Sequence, residues 1–229
     1  MRVLAIGDIH GCSLALDQLL AAVNPGLDDL IVTLGDYVDR GPDSRGVIDR
    51  LIQLHATGRL VALGGNHDQM MLEARRGPEE EAIWRLCGGQ QTLASYAPPG
   101  EVGQLVHVPQ SHWWFLENQC VNYYETDTHF FVHANAYADL PLNQQPDFML
   151  FWERLSDPDP HHSGKIMVCG HTSQDSGLPL NLGHTICIDT KVYSKGWLTC
   201  LDVGSGRVWQ ANQEGQQRTA CIDDFAAGT

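Results

Sequence analysis

Residues 30–52 read LIVTLGDYVDRGPDSRGVIDRLI. The first five are apolar and β-rich and stop at Gly35, as a buried strand does. Pro42, Asp43 and Ser44 are helix-start residues, after which Val47, Ile48, Leu51 and Ile52 recur at helical spacing. The turn between strand and helix carries Asp36, Asp39 and Arg40. The same alternation extends to both sides. RVLAI at 2–6 precedes a helical set of Leu16, Leu19, Leu20 and Val23, and RLVAL at 59–63 follows. A β-α-β-α-β order of this kind predicts an α/β fold in which ligands lie beyond the carboxyl ends of the strands.

The pattern continues more loosely downstream. HFFVH near 129, KIMVCG near 166, HTICID near 184 and WLTCLDV near 197 read as strands, with a hairpin-like GSG after the last. Residues 77–122 read as helical and irregular, and WRLCGGQQTLASY at 84–96 as a helix interrupted at Gly88 and Gly89. Without a repeat, low-complexity tract or linker, residues 1–229 are expected to form one domain, with the polar stretch 214–229 loosely held. A chain of this size buries roughly 70% of its unfolded surface and needs no disulfides.

Charge and cysteine usage narrow the classes. Twenty-eight acidic against fourteen basic residues give a formal net charge of −14, which repels phosphate backbones and argues against a nucleic-acid partner. The seven cysteines are odd in number, widely spaced and free of CxxC pairs, which suits a reducing cytoplasm. The start lacks the pattern of a signal peptide, and no apolar run reaches membrane-span length, so a soluble, uncleaved protein without a membrane partner is expected.

The strand ends carry the chemistry. GDIHG brings Asp8 and His10, GDYVDRG brings Asp36, Asp39 and Arg40, GGNHD brings Asn66, His67 and Asp68, and His133 and His171 follow two later strands. Any one of these could be ordinary turn punctuation. Five in succession make a metal-site inventory. Mixed Asp, His and Asn donors suit borderline divalent ions such as manganese, iron or zinc. A carboxylate shared by two ions ~3.5–4 Å apart offsets their repulsion, which explains an acid placed where negative charge is already plentiful.

These ordered motifs resemble the calcineurin-like metallophosphoesterases, and within them the serine/threonine phosphoprotein phosphatases of bacterial and bacteriophage lambda type. The resemblance runs from residue 3 to about 203 and includes WER at 152 and IDT at 188. It implies two packed mixed β-sheets flanked by helices in an α/β/β/α sandwich, and two divalent metal ions per chain, manganese first and iron or zinc as options. It assigns Asp8, His10 and Asp36 to one metal, with Asp36 bridging to a second held by Asn66, His133 and His171. His67 becomes the general acid, with Asp39 holding its ring. Arg40 and Arg154 become the phosphate-binding arginines. The implied reaction is in-line hydrolysis of a phosphomonoester, in a phosphorylated protein or small phosphoester, by a hydroxide that bridges the metals.

Two departures stand out: Gly64 and Asp68 occupy positions where most such phosphatases have arginine and glutamate, and Ala134 and Asn135 follow His133 where many have glycines. GNHD and the LTCL pattern are shared with the symmetrical dinucleoside tetraphosphate hydrolases. That branch ranks second, because it usually lacks an aspartate at the Asp39 position and does not carry GHT. A catalytically silent metal-binding scaffold is the alternative from another class, and the intact ligand set disfavours it. His161 and His162, in the turn-rich SDPDPHHSG, are expected to be solvated. His55, His107, His112 and His129 are expected to be structural or at the surface, and Trp113, Trp114 and Phe115 to form core.

Overall fold

A computed structural model describes residues 1–226. One sheet takes β1 (Val3–Ile6), β2 (Leu30–Thr33), β3 (Leu60–Leu63) and β4 (Cys120–Val121). A second takes β5 (Tyr123–Glu125), β6 (His129–Val132), β7 (Ile166–Cys169), β8 (Leu180–Asn181) and β9 (Thr185–Cys187). The chain then returns to the first sheet as β10 (Leu198–Asp202), β11 (Arg207–Ala211) and β12 (Gln217–Cys221). The orders are β12-β11-β10-β1-β2-β3-β4 and β5-β6-β7-β9-β8. The pairs β1·β2, β2·β3, β3·β4, β6·β7 and β7·β9 are parallel and the remaining pairs antiparallel, so both sheets are mixed.

Period-two alternation divides the apolar residues among three layers. Leu4, Ile6 and Ile31 face a helical layer, whereas Ala5 and Val32, paired across β1 and β2, face the other sheet. On β6, Phe131 joins that inter-sheet core while Phe130 and Val132 point outward. The helical layer comprises α1 (Ser13–Val23), α2 (Ser44–Ala56), α3 (Asn66–Glu73), α4 (Pro78–Trp84), α5 (Gln90–Tyr96) and α6 (Gln110–Asn118). The short α7 (Asp147–Phe151) covers the opposite face of the second sheet through Leu150 and Phe151. The expected α/β/β/α sandwich is therefore present.

Local signals hold where they are chemically specific. The Asp43 side chain caps α2 by accepting from the Gly46 N–H at 2.9 Å, a contact that satisfies an otherwise orphaned helix donor. The expected break in the middle helix occurs at Gly88, whose φ of 121° lies inside a wide turn joining α4 to α5. Other expectations need correction. The stretch after 214 does not hang loose: residues 217–221 pair along β11 and cover an edge that would otherwise be open, while residues 227–229 lie outside the described residues. His161 is buried on Phe130, between the Ser163 hydroxyl and the Leu140 carbonyl, and Trp114 is exposed while Trp113 and Phe115 are core. Among the described residues, no helix is long and apolar enough to cross a membrane.

The turns after β2 and β3 touch at Gly35. Its φ is 95°, and a Cβ there would lie 2.6 Å from the Gly65 nitrogen. Gly35→Ala should therefore lower the unfolding free energy by about 1–3 kcal/mol or more, measured by urea denaturation, because strain and a backbone clash act together.

Candidate active site

Five strand ends meet on one rim. β1 runs into Asp8 and His10, β2 into Asp36, Asp39 and Arg40, β3 into Asn66 and His67, β6 into His133 and β7 into His171. His10, Asp36, Asp39, Arg40 and His171 all have left-handed φ, between 45° and 73°. Such conformations persist only where the surroundings over-determine them. Here the Asp36 carbonyl accepts the N–H groups of Ile9 and His10, at 3.1 and 2.8 Å, and the Asp8 carboxylate accepts that of His171 at 3.0 Å.

Asp36 is the centre of the arrangement. Its Oδ2 lies 3.3 Å from His10 Nε2, and its Oδ1 lies 3.5 Å from His133 Nε2 and accepts the His67 N–H at 3.0 Å. His10 Nδ1 donates to the Val38 carbonyl at 2.8 Å and His133 Nδ1 to that of Leu34 at 2.7 Å. Those bonds fix the tautomers and leave both Nε2 lone pairs aimed at the carboxylate. His171 Nε2 donates to the Trp152 carbonyl, so its Nδ1 lone pair faces Asn66 Oδ1 at 3.0 Å, and His133 Nε2 faces the same amide oxygen at 3.0 Å. Lone pairs gathered in this way call for a cation between them.

Two groups of donors converge within 4.8 Å: His10, Asp36 and His67, and Asp36, His133 and His171. Asp36 belongs to both. Burial, then the His133 charge, pushes His171 down to about 4, and burial pushes His10 down to about 3, so both imidazoles are neutral as metal donors must be. Burial opposes ionisation of Asp36, but the imidazoles of His133, His67 and His10 outweigh it and hold the carboxyl below its ordinary range. Asp8 stands outside both groups, turned towards the His171 N–H. Burial, followed by the charges of Asp189 and Asp36, pushes its carboxyl well up. A borderline divalent ion beside Asp8, His10 and Asp36, and another beside Asp36, Asn66, His133 and His171, would fit this chemistry of buried acids and aligned lone pairs.

Arg40 occupies the ground between the imidazoles. Its guanidinium donates to His10 Nε2 at 2.9 Å and His67 Nε2 at 2.8 Å, and it lies 4.6 Å over the Tyr193 ring. His67 Nδ1 in turn donates to Asp39 Oδ2 at 2.7 Å. Asp39 also accepts from Trp84 Nε1, at 2.9 and 3.0 Å, and from the Thr92 hydroxyl at 2.7 Å. Burial pushes the Asp39 carboxyl up, and the bonds from His67, Thr92 and Trp84 pull against it. The break at Gly88 brings the helical insert onto this turn, where the Gly88 carbonyl accepts the Arg40 N–H at 3.3 Å. Arg154 is exposed on the wall of a cavity of about 480 Å³ that opens over Asp36, Asn66 and His67.

Sequence reasoning missed Trp84, Thr92 and Tyr193. The tryptophan and threonine carry no local signal, because they reach Asp39 from 45 and 53 residues away. Tyr193 lies just beyond the IDT segment, which offered a hint. Asp68 works as a backbone clamp, accepting the N–H groups of Tyr37 and Gly65 at 3.0 Å each. Asp189 bonds Ser173 and the Lys191 N–H, at 2.6 and 3.0 Å, and none of its hydrogen bonds reaches the expected ligands.

Two sheets in a sandwich and a carboxylate shared by two imidazole groups at their common rim define a metallophosphoesterase. The family model of calcineurin-like phosphoesterases matches residues 1–187, and the chain belongs to that family. A serine/threonine-protein phosphatase 1 of Salmonella typhimurium is 35% identical over 138 residues, 58% of this chain and 59% of that protein. A symmetrical bis(5'-nucleosyl)-tetraphosphatase of an Acidovorax species is 46% identical over 79 residues, 34% of this chain and 27% of that protein. The matches thus span less than two thirds of either relative. Among solved structures, a cold-active protein-tyrosine phosphatase of a psychrophilic Shewanella aligns with a TM-score of 0.63 and 19% identity, covering 95% of this chain and 80% of that one. At that identity the likeness concerns the fold.

The buried Asp39 cluster yields a direct test. Trp84→Phe removes a donor from a buried carboxylate and should cost about 1–3 kcal/mol of unfolding free energy. The exposed Trp114→Phe should cost less than about 0.5 kcal/mol in the same denaturation series.

Proposed function

We propose that this chain is a two-metal phosphomonoester hydrolase whose substrates are phosphoserine and phosphothreonine in proteins. The observation that carries the proposal is the Asp36 carboxylate, with one oxygen towards His10 and the other towards His133, beside the His67–Asp39 pair. Asp8, His10 and Asp36 are the proposed holders of one ion, and Asp36, Asn66, His133 and His171 of the other. Manganese is the first choice, as a borderline ion compatible with both imidazole and carboxylate. When bound, such a pair supplies an activated water and draws charge from the phosphoryl oxygens.

The side chains divide the remaining work. Arg40 and Arg154 offer planar forks for phosphate oxygens, a geometry that a lysine ammonium does not supply. Moving Arg40 onto a phosphate frees His67 Nε2, which it covers at 2.8 Å. With Nδ1 committed to Asp39, that freed nitrogen is the one able to carry a proton to the leaving oxygen. Of the two relatives described above, the longer match, to a serine/threonine phosphatase, supports the protein-substrate reading. Hydrolysis of a symmetrical dinucleoside tetraphosphate is the second reading, favoured by the 46% identity over 79 residues. A silent scaffold would show no manganese-dependent turnover of para-nitrophenyl phosphate.

Two outcomes are expected. Asp36→Asn should lose both ions together and abolish turnover, because a neutral amide cannot offset their repulsion; two tightly held metals by elemental analysis would count against a shared carboxylate. His67→Asn should keep the metals yet slow a phosphoserine peptide by roughly 100-fold or more. Para-nitrophenyl phosphate, with its good leaving group, should suffer less. Equal loss on both substrates would remove His67 from the acid role.

A further inference from the structure

Among the described residues, seven other than glycine have left-handed φ: His10, Asn24, Asp36, Asp39, Arg40, His171 and Lys191. Asn24 is the C-cap of α1, an ordinary place for that conformation. Five of the others belong to the site already described. Lys191, with φ of 61°, is the one left over, and it lines the same cavity. Its backbone is pinned by an N–H bond to Asp189 Oδ1 at 3.0 Å and by a bridge to Trp197. A residue held in a conformation that favours glycine, with its side chain at a cavity wall, marks a side chain the site uses.

The surroundings indicate that use. The Lys191 ammonium is ion-paired with Asp175, which comes from the loop after His171, so the pair spans the cavity lip between two loops. The Asp175 side chain is 83% exposed and that of Lys191 34%, and exposed pairs of this kind contribute little to stability. The ammonium is therefore available for exchange onto another anion. With Arg40 and Arg154 it makes three cations lining one cavity, in a chain whose net charge is −14.

We propose that Lys191 binds a second anionic group, phosphate or carboxylate, carried by the substrate beyond the phosphoryl group that Arg40 and Arg154 hold. Asp175 is the internal counter-charge that fills its place when no such group is present. The inference rests on the hydrolase reading above and deepens it: substrates bearing two anionic groups are preferred to simple monoesters.

Lys191→Gly removes the ammonium and suits the backbone, so folding should survive, as thermal unfolding would verify. With manganese-loaded protein, kcat/KM is compared for para-nitrophenyl phosphate, a phosphoserine peptide with flanking aspartates, and diadenosine tetraphosphate. Binding of non-hydrolysable phosphonate analogues of the three is followed by calorimetry. Lys191→Gly should reduce the preference for at least one doubly anionic substrate over para-nitrophenyl phosphate about tenfold or more, mainly through KM, with a matching loss in analogue affinity. Loss confined to diadenosine tetraphosphate identifies the second group as phosphate; loss confined to the peptide identifies a carboxylate. Asp175→Asn, by removing the competitor, should lower KM for the same substrate. Equal change across all three, or none, overturns the assignment of Lys191. A wild-type protein inactive on every ester would overturn the hydrolase reading, and the calorimetric comparison would still decide on Lys191.

Discussion

The whole rim depends on one buried carboxylate. Asp36 sits just beyond the end of β2, which lies between the parallel strands β1 and β3, and its backbone and side chain bind the turns on either side. Its carbonyl accepts from Ile9 and His10 after β1, and its Oδ1 accepts from His67 after β3. Gly65 must lack a side chain because any Cβ there would run into the Asp36 carboxylate. A carboxylate so deeply buried is costly unless surrounding groups compensate it. The His67 N–H supplies part of that compensation, and the His10 and His133 lone pairs, facing the carboxylate from the two sheets, leave the rest to a cation that would tie the layers of the sandwich at Asp36.

Around that point the chain gathers positive charge against its average. Arg40 is held over Tyr193 and between two imidazoles, Arg154 stands on the cavity wall, and Lys191 lines the same cavity from the loop after β9. On a surface that otherwise repels phosphate, such placement gives selectivity through local field and geometry rather than through net charge. The buried Asp39 cluster makes the placement durable. Trp84 and Thr92, from the helical insert, satisfy the carboxylate that holds His67, and the same insert touches Arg40 through the Gly88 carbonyl.

Much of this was legible in the sequence because strand ends are local. LIVTL followed by GDYVDRG fixes a strand, a turn and the polar groups in it without knowledge of distant residues, and the other four motifs behave likewise. What stayed hidden depends on long-range packing. The partners of Asp39 arrive from 45 and 53 residues downstream, and nothing near Trp84 or Thr92 announces a carboxylate. The β12 strand was misjudged for a related reason: its face is polar because it is an edge strand, and its pairing with β11 supplies the order that composition does not. The conformation of Lys191 was equally invisible, since a left-handed φ at a lysine has no sequence signal.

The central claim is that Asp36 is shared between two metal ions. Anomalous scattering from crystals grown with manganese tests it most directly. The account predicts two peaks, one on each side of the Asp36 carboxylate, the first beside His10 and the second among Asn66, His133 and His171, with the Arg40 guanidinium moved off His10 Nε2. A single peak, or two peaks that leave Asp36 uncoordinated, would contradict it.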